Sequence, residues 1–219
     1  MPSDAREYSP AAERNSAPIL SALRALLPAR GAALEIACGT GQHAACLGAA
    51  LPGWTWQPTD AQPDRFASVA AWSAGLPNVR APLLLNVLSQ PWPEAGPAFE
   101  APFDLIYCAN MLHIAPWACC TALMQGAARH LAPTGHLVTY GPYIEDGVPT
   151  AASNRAFDTT LRAQNPAWGL RALADVVREA QCAGLHLAAR HALPANNLLL
   201  VWKRTAASPS PACPQAPTS

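Results

Sequence analysis

The stretch Glu35-Ile36-Ala37-Cys38-Gly39-Thr40-Gly41-Gln42-His43-Ala44 joins a short apolar run to a helical pattern through two glycines. Glycine has no Cβ, so Gly39 and Gly41 allow the backbone to turn tightly and to approach a ligand closely. The spacing Gly39-x-Gly41-x-x-Ala44 also fits a loose form of the dinucleotide-binding fingerprint. A plain strand-to-helix turn would show the same glycines, so the spacing alone predicts local structure and no particular ligand.

Strand and helix patterns alternate along the rest of the chain. Apolar runs predict strands at 32–37, 54–59, 79–87, 103–108, 136–140, 185–191 and 197–203. Helical spacing predicts helices at 18–27, 42–51, 65–74, 116–131, 154–163 and 170–183. Such alternation is typical of an α/β protein with a Rossmann-like, doubly wound, mostly parallel sheet in a three-layer αβα architecture. Ligands of such sheets bind beyond the carboxyl ends of the strands.

The length of 219 residues is typical of one domain. We expect residues 1–204 to form a single domain. Residues 205–219 contain several prolines and no large apolar side chain, so a disordered Pro-rich tail is expected there.

The charge balance excludes several classes of protein. Lys and Arg number 14, Asp and Glu number 14, and charged residues make up only 13% of the chain. Binding to a phosphate backbone requires clustered positive charge, so no nucleic acid is expected as a partner. No run approaches the ~18 apolar residues of a membrane span, and residues 1–17 lack the apolar core of a secretory signal. We therefore expect a cytoplasmic protein without a membrane partner.

The seven cysteines are expected to be reduced thiols in such a compartment. Cys119 and Cys120 lie side by side in a predicted helix, and the neighbouring residues supply no further ligands. No metal site is expected.

The acidic residue Glu35 beside the glycine turn distinguishes between two classes of cofactor. A dinucleotide places an anionic pyrophosphate at such a turn, where the carboxylate of Glu35 would not help. S-adenosylmethionine instead brings an ammonium, a sulfonium and a carboxylate. Glu35 is expected to face the cationic groups, and the backbone N–H groups of the turn to face the carboxylate. The sequence therefore favours S-adenosylmethionine as the cofactor.

Residues at the ends of the next strands complete the expected cofactor site. Asp60 ends the second predicted strand and is placed to accept hydrogen bonds from ribose hydroxyls. Asn86 ends the third, where its amide can donate and accept at the adenine edge. The expected cofactor-binding residues are Arg14, Glu35, Ala37, Gly39, Gly41, Asp60, Asn86 and Asn110.

Six segments carry a resemblance to a known family: 8–15 (YSPAAERN), the glycine turn, 56–60 (WQPTD), 108–117 (CANMLHIAPW), 140–143 (YGPY) and 194–197 (PANN). Together they look like the methyltransferase-like protein 26 family, long catalogued as a domain of unknown function within the class I S-adenosylmethionine-dependent methyltransferase superfamily. The resemblance runs from Tyr8 to Arg204. It implies a seven-stranded sheet with an antiparallel last strand and a cofactor site at Glu35, Gly39, Gly41 and Asp60. Asn86 departs from the family pattern, in which Asp is usual.

Methyl transfer is an in-line displacement that depends mainly on alignment, and a base is needed only when the acceptor must lose a proton. Asn110 and His113 follow the fourth predicted strand. We expect Asn110 to orient the acceptor and His113 to take a proton, although a lone histidine in such a place is as often structural. Tyr140 is the third expected catalytic residue and, with Tyr143, forms a pocket wall.

Residues further away are expected to close the site. Tyr8, Glu13, Arg14 and Asn15 precede the first predicted helix and are expected to fold over the cofactor as a lid. His43 is expected to cap or pack its helix. Candidates for the acceptor side are Asn154, Arg155, Trp168, Asn196 and Asn197, the last two being equally typical of a turn.

These features predict an S-adenosylmethionine-dependent methyltransferase that acts on a small-molecule acceptor. The alternative is a catalytically silent S-adenosylmethionine-binding regulatory or scaffold protein, because no base is unambiguous. A NAD(P)-dependent oxidoreductase would rest on the glycine spacing alone. The residues do not indicate the acceptor, the atom methylated or the oligomeric state.

Overall fold

The glycine turn lies near the middle of a seven-stranded sheet in the computed structural model, which describes residues 4–93 and 98–205. In chain order the elements are α1 (Pro10–Leu26), β1 (Gly31–Ile36), α2 (Gln42–Ala50), β2 (Trp54–Asp60), α3 (Phe66–Trp72), β3 (Leu83–Leu84), β4 (Phe103–Ala109), α4 (Ala118–His130), β5 (Leu131–Gly141), β6 (Tyr143–Ile144), α5 (Ala152–Gln164), β7 (Arg171–Ala172), α6 (Leu173–Cys182), β8 (Leu185–Leu193) and β9 (Asn197–Arg204). Single 3₁₀ turns lie at Pro63–Arg65 and Leu112–Ile114.

The strand order in the sheet is β3-β2-β1-β4-β5-β9-β8. β1 pairs in parallel with β2 on one side and with β4 on the other. β9 pairs antiparallel with both β5 and β8. The predicted mostly parallel sheet with an antiparallel last strand is confirmed. Because successive crossovers leave β1 in opposite directions, a crevice opens between the carboxyl ends of β1 and β4.

Helices cover both faces of this sheet. On one face, Ile19 of α1 and Leu47 of α2 pack in a core cluster with Leu105 of β4. On the other, Leu123 of α4 and Val176 of α6 pack in a second cluster. Neighbouring strand residues point to opposite faces, so β1 and β4 contribute to both clusters and are apolar along most of their length. The result is the expected three-layer αβα arrangement.

The first helix begins eight residues before its predicted start. Ser9 caps α1 by accepting a hydrogen bond from the backbone N–H of Ala12 at 3.3 Å, and Pro10 occupies the first turn, where its missing N–H costs nothing. Pro18, predicted in the first turn, instead lies inside the helix. The expectation that Glu13, Arg14 and Asn15 precede the helix is therefore wrong, because the cap at Ser9 starts it earlier.

The predicted third strand at 79–87 shortens to β3, with a single bridge between Val79 and Trp56. Pro82 cannot donate to a ladder, which confines pairing at this sheet edge to two residues. The last long helix also starts later than predicted, since Arg171 and Ala172 pair with β6 instead.

Three further expectations concern the tail, membrane-spanning helices and the cysteines. All of the predicted tail except Thr205 lies outside the described residues. In the described ranges, no helix has the length and apolar character needed to cross a membrane. Cys38, Cys46, Cys108, Cys119 and Cys120 are free thiols.

Candidate active site

A cavity of about 830 Å³ opens where the carboxyl ends of β1, β2, β3 and β4 meet. Its volume lies within the range of roughly 300–1000 Å³ that is typical of small-molecule sites. Residues of α1 and residues of α5 form two parts of its side wall. The cavity therefore occupies the crevice that the strand order creates.

Most of the predicted site residues come together in this cavity. Those that line it are Arg14, Ala37, Gly39, Asp60, Asn86, Asn110 and His113. Glu35 and Tyr140 are not among the lining residues, and their side chains are only 2% and 3% exposed. Gly41 lies behind the lining, where it forms the N-cap of α2.

The carboxylate of Asp60 is fixed at the edge of the cavity by two backbone groups. Oδ2 accepts from the N–H of Gly39 at 3.0 Å, and Oδ1 accepts from the N–H of Gln62 at 3.1 Å. A carboxylate oxygen has two lone pairs, so each oxygen retains capacity for a ligand hydroxyl. At the next strand end, Asn86 Oδ1 accepts from the N–H of Leu88 at 3.0 Å, which leaves the Asn86 amino group for the cavity.

The turn itself requires backbone angles that favour glycine. Ala37, Gly39 and Gly41 have φ values of 57°, 54° and 87°. A Cβ on Gly39 would meet no atom within 4 Å, so the turn leaves free space on the cavity side. A Cβ on Gly41 would lie 2.6 Å from the Cα of Val69, because α3 packs directly against the turn. One glycine thus provides space for a ligand and the other permits helix packing.

Glu35 lies beneath the turn, where its Oε2 accepts a 2.6 Å hydrogen bond from Trp56 Nε1. Burial raises the pKa of Glu35 to about 8, the Trp56 hydrogen bond opposes this, and the negative charge of Asp60 adds to it. At neutral pH the side chain is therefore mostly protonated. A protonated Glu35 carries no negative charge, so it does not provide the attraction for the cationic groups of S-adenosylmethionine that the sequence predicted.

A second polar pair continues from Glu35 toward the cavity. The Tyr107 hydroxyl lies 3.2 Å from Nδ1 of His43 in a buried hydrogen bond. His43 lines the cavity, and its Nε2 is buried with no hydrogen-bond partner within the described ranges. Burial lowers the pKa of His43 to about 4, and the nearby Ala12 carbonyl opposes this. The ring is therefore neutral, and it packs edge-on against Tyr107.

The start of the chain lies over the turn. The N–H of Ser9 donates to Gln42 Oε1 at 2.5 Å, and the N–H of Glu7 donates to Ser68 Oγ at 2.8 Å. Ser68 Oγ in turn donates to the Thr40 carbonyl at 2.8 Å. Arg14 and Asn15 then line the cavity from α1. The other two expected lid residues, Tyr8 and Glu13, are exposed and do not line the cavity, and Tyr8 lies before the helix.

The carboxyl end of β4 supplies the other expected catalytic groups. Asn110 has a φ of 59°, a conformation that asparagine tolerates, and its N–H donates to the Tyr140 carbonyl at 2.8 Å. His113 lines the cavity, and its ring centroid lies 5.5 Å from that of Phe157. Burial, together with the nearby Arg171, lowers the pKa of His113 to about 4. A neutral imidazole and an amide therefore face the same space.

Tyr140 supports this wall from inside the sheet. Burial raises the pKa of its hydroxyl, and a hydrogen bond with Asn197 and the positive charge of Arg14 oppose that effect. Asn197 and Arg14 line the cavity, so Tyr140 interacts with lining residues while remaining in the core. Tyr143 does not line this cavity, and its hydroxyl donates to Thr139 Oγ1 at 3.0 Å.

Helix α5 presents one face to the cavity. The lining residues on this helix are Ser153, Asn154, Phe157, Leu161 and Gln164, which follow the i, i+3/i+4 spacing of a single face. Trp168 and Asn197 also line the cavity, as expected, whereas Arg155 and Asn196 do not. Sequence reasoning missed Phe157, although its helical spacing from Asn154 was a usable signal.

Comparisons with known proteins agree with this architecture. A family model described as "Protein of unknown function (DUF938)" matches residues 6–204. Among solved structures, the S-adenosylmethionine-dependent methyltransferase SibL is 18% identical with a TM-score of 0.72, over 89% of this chain and 56% of that one. Human N-acetylserotonin methyltransferase in complex with S-adenosylmethionine is 14% identical with a TM-score of 0.71, over 88% and 52%. An O-methyltransferase family protein from Burkholderia thailandensis is 19% identical with a TM-score of 0.69, over 89% and 57%.

These solved structures share the fold of class I methyltransferases with this chain. Identities below one fifth show the fold alone. The chain spans about half the length of the structures that it matches.

Proposed function

The chain belongs to the DUF938 family of proteins of unknown function, and from that premise we propose that it is an S-adenosylmethionine-dependent methyltransferase acting on a small-molecule acceptor. We further propose that its relatives are the methyltransferase-like protein 26 family. The observation that carries the proposal is the Asp60 carboxylate held by the Gly39 N–H at the edge of the cavity. Similarity to the methyltransferase fold supports it.

The residues present fit such a cofactor. Asp60 would accept hydrogen bonds from the ribose, and the free amino group of Asn86 would donate to the adenine edge. The open space at Gly39 and the positive end of α2 would receive the methionine carboxylate, with Arg14 nearby. Ala37 and Asn110 would line the remaining contact surface. Glu35 would support the turn from below rather than supply charge.

When bound, the cofactor supplies an electrophilic methyl group on a sulfonium. The contribution of the protein is to hold the acceptor nucleophile in line, which accounts for most of the rate in such displacements. Asn110, with its backbone fixed by the Tyr140 carbonyl, would orient the acceptor. The neutral ring of His113 would accept a proton from an oxygen or nitrogen nucleophile. Tyr140 would position Asn197 and Arg14 rather than touch the acceptor.

Calorimetry with S-adenosylhomocysteine tests the cofactor assignment. The intact protein should bind it, and Asp60→Ala should weaken binding by roughly 1–3 kcal/mol, the scale of a lost charge-assisted hydrogen bond. Asp64→Ala is the matched control, because Asp64 is exposed on the neighbouring 3₁₀ turn and does not line the cavity. No binding by the intact protein, or binding of NAD in its place, would contradict the proposal.

A silent cofactor-binding protein is the second candidate, and the pKa of His113 favours it, since an imidazole with a pKa of about 4 is a weak base. Labelled S-adenosylmethionine incubated with the protein and a metabolite extract separates the two candidates. Transfer of label to any extract component supports the enzyme. Tight cofactor binding without transfer supports the silent protein.

A further inference from the structure

Charge is distributed unevenly over the cavity wall. Within the described ranges, the charged lining residues are Arg14, Asp60 and Arg65. All three lie in the half built by α1, the glycine turn and the segment after β2, which we call the cofactor half. The opposite half, which we call the acceptor half, is built by residues 109–115, Cys119, Pro142, α5, Trp168 and the turn before β9.

The described lining of the acceptor half carries no Asp, Glu, Lys or Arg. Its polar groups are uncharged: the amides of Asn110, Asn154, Asn197 and Gln164, the hydroxyl of Ser153 and the imidazole of His113. The imidazole is neutral at pH 7, because burial and Arg171 lower the pKa of His113 to about 4. A charged acceptor would therefore find no group of opposite sign in the lining of this half.

Charged residues near this half are engaged elsewhere. Arg171 does not line the cavity, and its guanidinium donates to the carbonyls of Leu112 at 2.9 Å and Ala115 at 2.6 Å from behind the wall. On α5, Arg162 Nε donates to Asp158 Oδ2 at 2.9 Å, and neither residue lines the cavity. Transfer of a charged group from water to a wall without a counter-charge is unfavourable.

The same half exposes apolar and aromatic surface. Ile114 and Phe157 are 44% and 39% exposed, and both line the cavity. Trp168 and Met111 line the same half, and the Phe157 ring lies edge-on to His113. Exposed apolar side chains that converge on a cavity mark a surface for an apolar ligand. Ring faces of this kind pack well against another ring.

We infer that the acceptor is an uncharged, ring-containing molecule that packs on Phe157, Ile114 and Trp168 and presents its nucleophilic oxygen or nitrogen to Asn110 and His113. This inference rests on the proposed function, in which the other half holds the cofactor. The acceptor oxygen or nitrogen would form a bond to the methyl carbon as the bond between that carbon and the sulfonium sulfur breaks. The electron pair would stay on sulfur, which leaves as the thioether of S-adenosylhomocysteine, and the proton released from the acceptor would move to the His113 ring or to water.

Matched sets of ring compounds test the inference. Each set holds a hydroxyl compound in neutral, carboxylated and aminomethylated form, such as 2-naphthol, 6-hydroxy-2-naphthoic acid and 6-(aminomethyl)-2-naphthol, with equivalent sets on benzene and indole. Binding to the full chain is measured by ligand-observed NMR and calorimetry, with and without S-adenosylhomocysteine. In at least one set the neutral member should bind about tenfold or more tighter than both charged members, a difference of roughly 1.4 kcal/mol. The inference would be overturned if in every set a charged member bound within about tenfold of the neutral member or tighter than it, or if no neutral member bound.

A charge placed in the acceptor half should reverse this preference. Phe157→Lys should favour the carboxylated member over the neutral one by several-fold. Thr160→Lys is the matched control, because Thr160 is exposed on the same helix and does not line the cavity. It should keep the wild-type preference, and far-UV circular dichroism checks that both variants are folded. An unchanged preference in Phe157→Lys would place the acceptor elsewhere.

The cofactor measurement keeps the two proposals separate. If the wild type prefers the neutral compounds but does not bind S-adenosylhomocysteine, the methyltransferase proposal fails. The inference that the acceptor half binds uncharged ring compounds then still stands. If S-adenosylhomocysteine binds but the charged compounds are preferred, the acceptor class is wrong and the cofactor assignment stands.

Discussion

Two carboxyl groups on neighbouring strand ends have opposite surroundings in this protein. Glu35 belongs to a buried floor beneath the glycine turn, formed with Trp56, Tyr107 and His43. Asp60 belongs to a rim at the cavity edge, where backbone N–H groups hold it within reach of a ligand. The sequence predicted that both acids contact the cofactor, Glu35 at its cationic groups and Asp60 at its ribose hydroxyls. The difference shows that an acid at a strand end can act as a buried support or as a ligand contact, depending on which way its side chain leaves the strand.

The floor should make the stability of the protein depend on pH through Glu35, and this is the largest effect we expect. Glu35 ionises near its ordinary value of 4.5 in the unfolded chain but only near pH 8 in the folded protein. The stabilisation is therefore fully present below pH 4.5 and is lost as pH rises toward about 8, by roughly 1.4 kcal/mol per pH unit. Glu35→Gln keeps an oxygen for the Trp56 N–H and should lack this loss.

Urea unfolding of wild type and Glu35→Gln between pH 5 and 8 measures the difference. Taking the difference cancels the contributions of His43 and His113, whose lowered pKa values act in the opposite direction. Glu13→Gln is a control, because Glu13 is exposed on α1. Parallel profiles of wild type and Glu35→Gln would show that Glu35 is not a buried acid.

Substitution of the two glycines of the turn should distinguish helix packing from ligand binding. Gly41 matters for packing, and Gly39 matters for binding. Gly41→Ala should destabilise the fold by roughly 2–5 kcal/mol, because it adds steric overlap with the Val69 backbone to an unfavourable positive φ. Gly39→Ala has the positive φ without the overlap and should cost roughly 1–2 kcal/mol. It should weaken S-adenosylhomocysteine binding, since its methyl group would occupy the space left for the ligand.

Urea unfolding and calorimetry on this pair check both statements. Equal destabilisation by the two substitutions would contradict the packing role of Gly41. Unchanged ligand affinity in Gly39→Ala would place the cofactor away from the turn.

Arg65 lines the cavity near Asp60 and belongs to the same rim, which should be more weakly held than the floor, so the smallest effect is expected there. Glu7 and Arg65 form a 3.1 Å ion pair over the turn, but both side chains are at least half exposed. Solvent screens such pairs, so Glu7→Gln should cost less than about 1 kcal/mol, and salt near 1 M should abolish the difference. Thermal unfolding at low and high salt measures it. A loss above about 2 kcal/mol would mean that the rim is as firmly held as the floor.

Much of the fold followed from local pattern. The apolar runs of β1 and β4 are buried on both faces, and such runs are typical of parallel strands. Local pattern predicted the wrong boundaries for a helix and a strand where a second local signal was stronger. Ser9 and Pro10 start α1 ahead of Pro18, and Pro82 shortens β3 at the sheet edge. The lining residues at strand ends were predictable, because topology brings those ends together.

Other features of the site depended on distant parts of the chain. His43 contacts Tyr107 across 64 positions, and Trp56 donates to Glu35 across 21. No spacing rule relates such residues, since they meet through sheet register and helix packing. The burial that raises the pKa of Glu35 likewise depends on the strands beside it and on the helices above it. Phe157 enters the site only because α5 lies along the cavity edge.

By itself, the sequence determined the alternation of strands and helices, the sharp turn at Gly39 and Gly41, and the placement of Asp60, Asn86 and Asn110 at strand ends. These properties depend on residues close together in the chain, such as apolar spacing and the absence of a Cβ. Only the tertiary structure decided that Glu35 lies in the floor while Asp60 lies in the rim, and that the acceptor half carries no charge in its described lining. Burial and charge distribution are properties of what surrounds a side chain in space, and packing between distant segments sets them.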